Sequence, residues 1–299
     1  MMARPVIVAI GEVLWDVYPD AVHFGGAPAN VACHAASLGA EAWMVSAVGV
    51  DAPGARAVEA LRTRGVETLH LAHDPHHATG RVLVTLDQAG VPSYDIVADS
   101  AWDHRVWSDD LGRLAARADA VCFGTLGQRS PVSRATIRRF VTATPPGALR
   151  LLDVNLRQGF DDADTIRESL RIATAMKLND DELPIVARVC GIRATTSRDM
   201  LIELAAAFQL RLAALTRGPG GAVLIAGGDE SDCPALATNV VDTVGAGDAF
   251  AAALVTGVLQ ELPLDATNRR ANAIAAFVCS EPGATPRLPA ELCAIPDTG

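Results

Sequence analysis

Asn239-Val240-Val241-Asp242-Thr243-Val244-Gly245-Ala246-Gly247-Asp248-Ala249-Phe250 reads as a short apolar strand that ends in a polar residue, passes through a Gly-Ala-Gly turn and enters a long apolar helix. Outward from this stretch the chain repeats the theme. Short β-branched or apolar runs predict strands at Val6–Ile10, Ala42–Val48, Ala120–Gly124, Arg150–Val154, Ala175–Asn179 and Ala213–Thr216. Ala- and Leu-rich segments of helical length lie between and beyond them, at Pro28–Leu38, Pro53–Arg64, Pro131–Thr142, Thr196–Phe208, Ala246–Gln260 and Ala266–Cys279. Alternation of this kind defines the α/β class: βα units on a central, mainly parallel sheet flanked by helices.

Two stretches break the alternation. One is Trp15–Phe24; the other is Thr79–Ile96, a strand, a Gly-Pro turn and a second strand. They read as hairpin strands added to the sheet edge. Because they flank Gly25-Gly26, they also read as a small β-lid, segments 15–24 and 79–98, over a pocket at one end of the sheet. Ordinary edge strands without a moving role would give the same pattern. With no internal repeat, low-complexity tract or linker, residues 1–299 are expected to form a single domain.

Composition removes several function classes. Half of the 299 residues are hydrophobic, enough for a full core, and the formal net charge of -10 leaves no basic field for nucleic acid or an anionic membrane. Lys177 is the only lysine and no G-x-x-x-x-G-K-[ST] occurs, which excludes a P-loop ATPase. The six cysteines lack C-x-x-C or Cys/His ligand spacing, so no structural zinc site is expected from them. Met1–Pro5 runs into an apolar strand without a cleavable leader pattern, and no stretch is apolar enough to span a bilayer. A cytoplasmic protein is expected.

The Gly245–Gly247 turn suits phosphate. Glycines admit an anion close to the backbone, and free N–H groups at a helix N-terminus point at it along the positive end of the helix dipole. Asp248, in the first turn, can then take a proton from an incoming hydroxyl beside that anion hole. A tight turn followed by a favourable first-turn acid uses the same residue types, so this stretch alone does not separate the two. A second glycine turn feeds a helix at Gly25-Gly26-Ala27-Pro28-Ala29-Asn30-Val31-Ala32, with Pro28 near the helix start. Asn30 offers donors and acceptors to a sugar hydroxyl and Asp16 a bidentate acceptor, although Asn30 also suits a capping role.

Together, G-G-A-P-A-N-V-A near the N-terminus and D-T-V-G-A-G-D-A-F near the C-terminus resemble the two signatures of the PfkB, or ribokinase-like, carbohydrate kinases. The likeness extends from Gly11–Asp16 to Gly283–Pro286. It implies a ribokinase-like fold with a small β-strand lid, ATP and Mg²⁺ as cofactors, Asp248 as catalytic base, and an anion hole at Gly245, Ala246 and Gly247. Asp16, Gly25, Gly26 and Asn30 match sugar-binding positions. Asn179 and Glu182 match the N-x-x-E element that arranges Mg²⁺ and phosphates through water, and the pair is also a capping box in outline. Thr216, Gly218 and Gly221 resemble the nucleotide loop, and Asn272 a position bordering the adenine. Asp242, Val244, Val278, Glu281 and Gly283 fall where many relatives hold K⁺.

The G-E-V-L-W-D opening, the A-P-A-N form of the first motif, His77–Val82 and Asp153–Arg157 look most like bacterial fructokinases, which implies transfer from ATP to a hydroxymethyl group of fructose. Arg157 keeps 2-keto-3-deoxygluconate open, because Arg pairs with a carboxylate. Ribose, nucleosides and aminoimidazole riboside are further options. Trp15, Phe24 and Tyr94 suit either the sugar face or the core of the lid. Many relatives pair through their lids, which implies a homodimer. A sugar-sensing protein without catalysis keeps the same fold, but the intact G-A-G-D argues against it. A nicotinamide-dependent oxidoreductase lacks its G-x-G-x-x-G.

Overall fold

The computed structural model describes residues 4–86, 92–157 and 162–295. Its strands, in chain order, are β1 Val6–Ile10, β2 Leu14–Val17, β3 Val22–Gly25, β4 Glu41–Gly49, β5 Leu71–Asp74, β6 Gly80–Leu86, β7 Pro92–Ile96, β8 Ala120–Phe123, β9 Leu149–Asp153, β10 Ala175–Asn179, β11 Leu212–Thr216, β12 Ala222–Ala226 and β13 Asp229–Cys233. Nine of these form one sheet in the order β13-β12-β11-β10-β9-β8-β1-β4-β5. Every pair from β11 to β5 is parallel, and β12 and β13 are antiparallel additions.

Every residue of β1 is buried, as expected of a strand covered on both faces. On one face lie the helices Asp109–Ala115, Pro131–Ala143, Ala163–Ile172, Glu182–Val189 and Ser197–Ala207; on the other lie Ala27–Ser37, Ala246–Leu259 and Leu264–Cys279. The chain adds β4 and β5 on one side of β1 and returns to β8 on the other, so the strand order reverses beside β1. Outside the carboxyl ends of strands at such a reversal, an open α/β sheet leaves a crevice for ligands.

The strands that break the alternation do not extend an edge of this sheet. They form a separate four-stranded sheet in the order β3-β2-β6-β7, with β2 and β6 parallel and the outer pairs antiparallel. The reason is burial: Leu14, Val82 and Val84 make a small core of their own with Tyr18 and Ile96. The Gly-Pro turn expected before β7 lies outside the described residues apart from Pro92, where β7 begins.

Asn239–Val241 is not a strand. Val240 and Val241 are about 60% exposed, and the N–H groups of Val241 and Asp242 donate to the Cys279 carbonyl at 2.8 and 3.2 Å rather than to a ladder. The sheet edge they would need is occupied by the β12–β13 hairpin. Asn268, buried on the helix Leu264–Cys279, holds that hairpin through the carbonyls of Ala222 and Ser231, each at 3.0 Å.

Candidate active site

The two glycine turns meet at the reversal. Asn30, buried in the first turn of Ala27–Ser37, donates from Nδ2 to Oδ2 of Asp248 at 2.8 Å, joining positions 218 apart in sequence. Asp248 is in the first turn of Ala246–Leu259. Gly245 caps that helix with φ 81°, where a Cβ would collide with the Ala284 carbonyl oxygen, so both conformation and space require glycine. No side chain caps this helix, and the Ala246 N–H reaches the Thr243 carbonyl only at 3.4 Å. First-turn N–H groups have no intrahelical partner, so the turn presents donors beside the Asp248 carboxylate.

Asp248 is half-buried, and burial lifts its pKa above the ordinary carboxylate value, opposed by the Asn30 hydrogen bond and the charges of Lys177 and Arg157. Asp16, on β2, faces the same field. Burial raises its pKa to about 6, while Arg157 and His23 pull it down. Its carboxylate lies against Gly25, where a Cβ would come 2.6 Å from Oδ2, so Gly25 is the clearance that lets Asp16 lie there. Arg157 is exposed after β9 and bonds only weakly, at 3.4 Å, to the Leu156 carbonyl; its charge lowers the pKa of Asp16 and Asp248.

Three charged residues in this region have no role assigned from sequence. Glu12 is 4% exposed, its Oε2 has no hydrogen-bond partner among the described residues, and burial raises its pKa to about 7. Lys177, beside Asp153 in the β9–β10 register, donates to both its carboxylate oxygens, at 3.0 and 3.1 Å. Both are buried, and a Cβ on Gly247 would sit 3.0 Å from Lys177 Nζ, so the ammonium lies directly under the Gly245–Gly247 turn. The available signal was a lone Lys within the apolar run Ala-Met-Lys-Leu, since a charge in a buried strand needs a partner.

On the far side, Asn179 ends β10 and pairs in register with Thr216 at the end of β11. Asn179 and Glu182 form the reciprocal cap expected: Glu182 Oε2 accepts the Asn179 N–H and Asn179 Oδ1 accepts the Glu182 N–H, both at 2.9 Å. Glu182 Oε1 also accepts the Leu156 N–H at 2.7 Å. The loop after Thr216 turns through Gly218–Gly220, and Gly221 packs against the Cys233 carbonyl. Asn272 is buried rather than exposed, and its amide donates to the carbonyl and Oδ1 of Asn268 at 3.0 and 2.9 Å.

Asp242 Oδ1 accepts the Val244 N–H at 3.0 Å and Oδ2 the Gly283 N–H at 3.2 Å, while the buried Val278 gives its carbonyl to the Glu281 N–H at 3.2 Å. These five residues therefore lie on two adjoining segments. Trp15 belongs to the core: it is 9% exposed, donates to the Pro53 carbonyl at 3.0 Å and meets Phe24 edge to face at 5.5 Å. Tyr94 is 55% exposed.

Residues 12–291 match the family model described as pfkB family carbohydrate kinase, and the chain belongs to that family. It is therefore a phosphotransferase that acts on a sugar. An uncharacterized sugar kinase of Pyrococcus horikoshii is 32% identical over 94% of this chain and 93% of its own. That kinase in complex with ATP superimposes with a TM-score of 0.79 at 30% identity, covering 93% of this chain and 94% of the other. A fructokinase of Escherichia coli is 28% identical over 83% of both chains. Fructokinase of Xylella fastidiosa with bound ATP shares the fold, with a TM-score of 0.85 at 22% identity and 96% of each chain covered. No helix among the described residues is long and apolar enough to cross a membrane.

Proposed function

We propose that this kinase transfers the γ-phosphoryl group of ATP to a hydroxymethyl group of a small sugar, with fructose as the preferred acceptor. The observation that carries this reading is the hydrogen bond from Asn30 to Asp248, because it brings a sugar-type donor and acceptor against a carboxylate base and an anion turn. Asp248 takes the proton of the attacking hydroxyl, and the amides of Gly245, Ala246 and Gly247 stabilise the transferring group. Asp16, Gly25, Gly26 and Asn30 hold the other hydroxyls. Asn179, Thr216, Gly218, Gly221 and Asn272 line the nucleotide side, with Asn272 acting through the packing of its helix. The small sheet, whose strands fall largely within the lid segments 15–24 and 79–98 of a single domain, serves as a lid that excludes water.

Each oxygen of Glu182 accepts one backbone N–H and keeps a further lone pair, so the carboxylate fits a water on Mg²⁺ rather than direct ligation. Bound Mg²⁺ neutralises charge on the ATP phosphates. Asp242, tied to Val244 and Gly283, fits a K⁺ site beside the anion turn, with backbone carbonyls of Val244, Val278, Glu281 and Gly283 as further donors. Exposed Val22 and Leu83, which share one face of the small sheet, support a homodimer through the lids.

The fructokinase relatives favour fructose, while the exposed Arg157, close enough to depress the Asp248 pKa, favours a sugar acid such as 2-keto-3-deoxygluconate as the second reading. An ADP-release assay with fructose, ribose, 2-keto-3-deoxygluconate and nucleosides tests both. The expected result is the highest kcat/KM with fructose. A carboxylate sugar as sole substrate selects the second reading, and no sugar-dependent ADP release defeats both.

A further inference from the structure

The connection from β5 to β6 and the segment after β7 meet at the foot of the small sheet. There they bring together His77, Asp99 and His104, to which the proposed transfer assigns no step. The two imidazole rings stack with centroids 3.5 Å apart and planes 9° apart. Asp99 Oδ1 lies 2.7 Å from His104 Nε2 and 3.9 Å from His77 Nε2. All three ligand atoms fall within 4.8 Å of one another.

His77 is oriented from behind. Its Nδ1 lies 2.9 Å from Asp74 Oδ2, and Asp74 Oδ1 accepts the N–H groups of His76 and His77, so the carboxylate is fixed and Nδ1 is the donor. With Nδ1 so engaged, His77 turns Nε2 toward the Asp99 carboxylate. A cation between the ring nitrogen and the carboxylate, 3.9 Å apart, can be held by both. A carboxylate on the remote nitrogen is also the arrangement that aims and strengthens a metal-ligating imidazole.

We propose that His77, His104 and Asp99 bind a divalent transition ion of the Zn²⁺ type, with Asp74 orienting His77 and water completing the shell. Two imidazoles and one carboxylate suit Zn²⁺, whereas Mg²⁺ and Ca²⁺ favour oxygen alone. Bonds of about 2.0–2.1 Å in a tetrahedron place donor atoms roughly 3.3 Å apart. Binding therefore closes the 3.9 Å gap, rotates the rings out of parallel and frees Nε2 of His104 for the ion, its ring proton being carried on Nδ1 instead. The side chains have room for this, being 26%, 31% and 75% exposed for His77, His104 and Asp99. His77 precedes β6 and the other two ligands follow β7, so the ion ties the two ends of the β6–β7 hairpin together at its base.

Chelator-stripped full-length protein titrated with Zn²⁺ by calorimetry and with Co²⁺ by visible absorption tests the site. The expected result is one saturable site per chain, a four-coordinate Co²⁺ spectrum without a thiolate charge-transfer band, and a zinc-dependent rise in unfolding temperature. His77→Ala and His104→Ala each lower the affinity more than about tenfold, and Asp74→Asn lowers it about tenfold. Asp99→Asn, at an exposed position, provides the same test without a folding risk. No saturable binding below about 1 mM, unchanged affinity in the His104 and Asp99 variants, or a thiolate band overturns the proposal.

Discussion

Asp248 can act as a base only when ionised, and its burial works against that state. Its pKa stands above the ordinary carboxylate value, so kcat/KM for the sugar is expected to fall on the acid side at a higher pH than an exposed aspartate would give. Asn30 donates to the charged form, so Asn30→Ala should move that limb further up in a pH–rate profile. Asp248→Asn keeps the shape and removes the base. A loss of about 10²–10⁴ in kcat with ATP affinity unchanged is expected, and near-normal turnover would contradict the role. Glu12 affects stability instead. Its folded pKa of about 7 exceeds the ordinary 4.5, so the folded state holds the proton more tightly. The stabilisation is complete below the lower value and is lost as pH rises through the upper one. Relative to Glu12→Gln, the unfolding free energy of the natural protein should drop by about 3 kcal/mol between about pH 4 and 8 in urea titrations.

β9 and β10 carry one partner each of the Asp153–Lys177 pair, and the pair links strand register to the Gly245–Gly247 turn above it. Burial disfavours the Lys177 charge, but Asp153, Glu182 and Asp248 outweigh it and hold the ammonium protonated. Lys177→Met strands a carboxylate in the core. A loss of about 3–5 kcal/mol in denaturant unfolding is expected, with much of it recovered in the double variant Lys177→Met, Asp153→Leu. An equal loss in the double variant would mean the two charges are not coupled. Elements of this kind differ in how plainly they are written in sequence. β1 and β10 carry the bounds expected from it, because strands buried on both faces are short continuous apolar runs. β13 is Asp-Glu-Ser-Asp-Cys, polar and without alternation, and only Gly227-Gly228 marked its hairpin; Asn268, far along the chain, holds it in place. Val240 and Val241 misled in the other direction, since β-branched residues state a preference but not whether an edge is free. The glycine turns and Asp248 were legible because helix starts leave local marks. Glu12 and the Asp153–Lys177 pair were not, because their roles come from burial by distant segments.

At the scale of the whole molecule, the main sheet lies between two layers of helices, whereas the small sheet has a core of Leu14, Val82 and Val84 with two partly buried neighbours. Little apolar burial holds β6 and β7 against opening, so their amides belong to the low-stability end of the protein. The proposed lid role requires that difference. Asp16 lies on β2 of the small sheet and Asp248 on a helix of the main body, so a sugar held by both adds contacts across the two parts only when they are closed. Hydrogen exchange followed by mass spectrometry should therefore show the amides of β6 and of the non-proline residues of β7 exchanging well before those of β1, β8 and β9 in the free protein. Fructose with a non-hydrolysable ATP analogue should slow the first group and leave the second unchanged. Uniformly slow exchange in the free protein would make the small sheet a rigid wall, and water exclusion would then have to come from bound ligands rather than from closure.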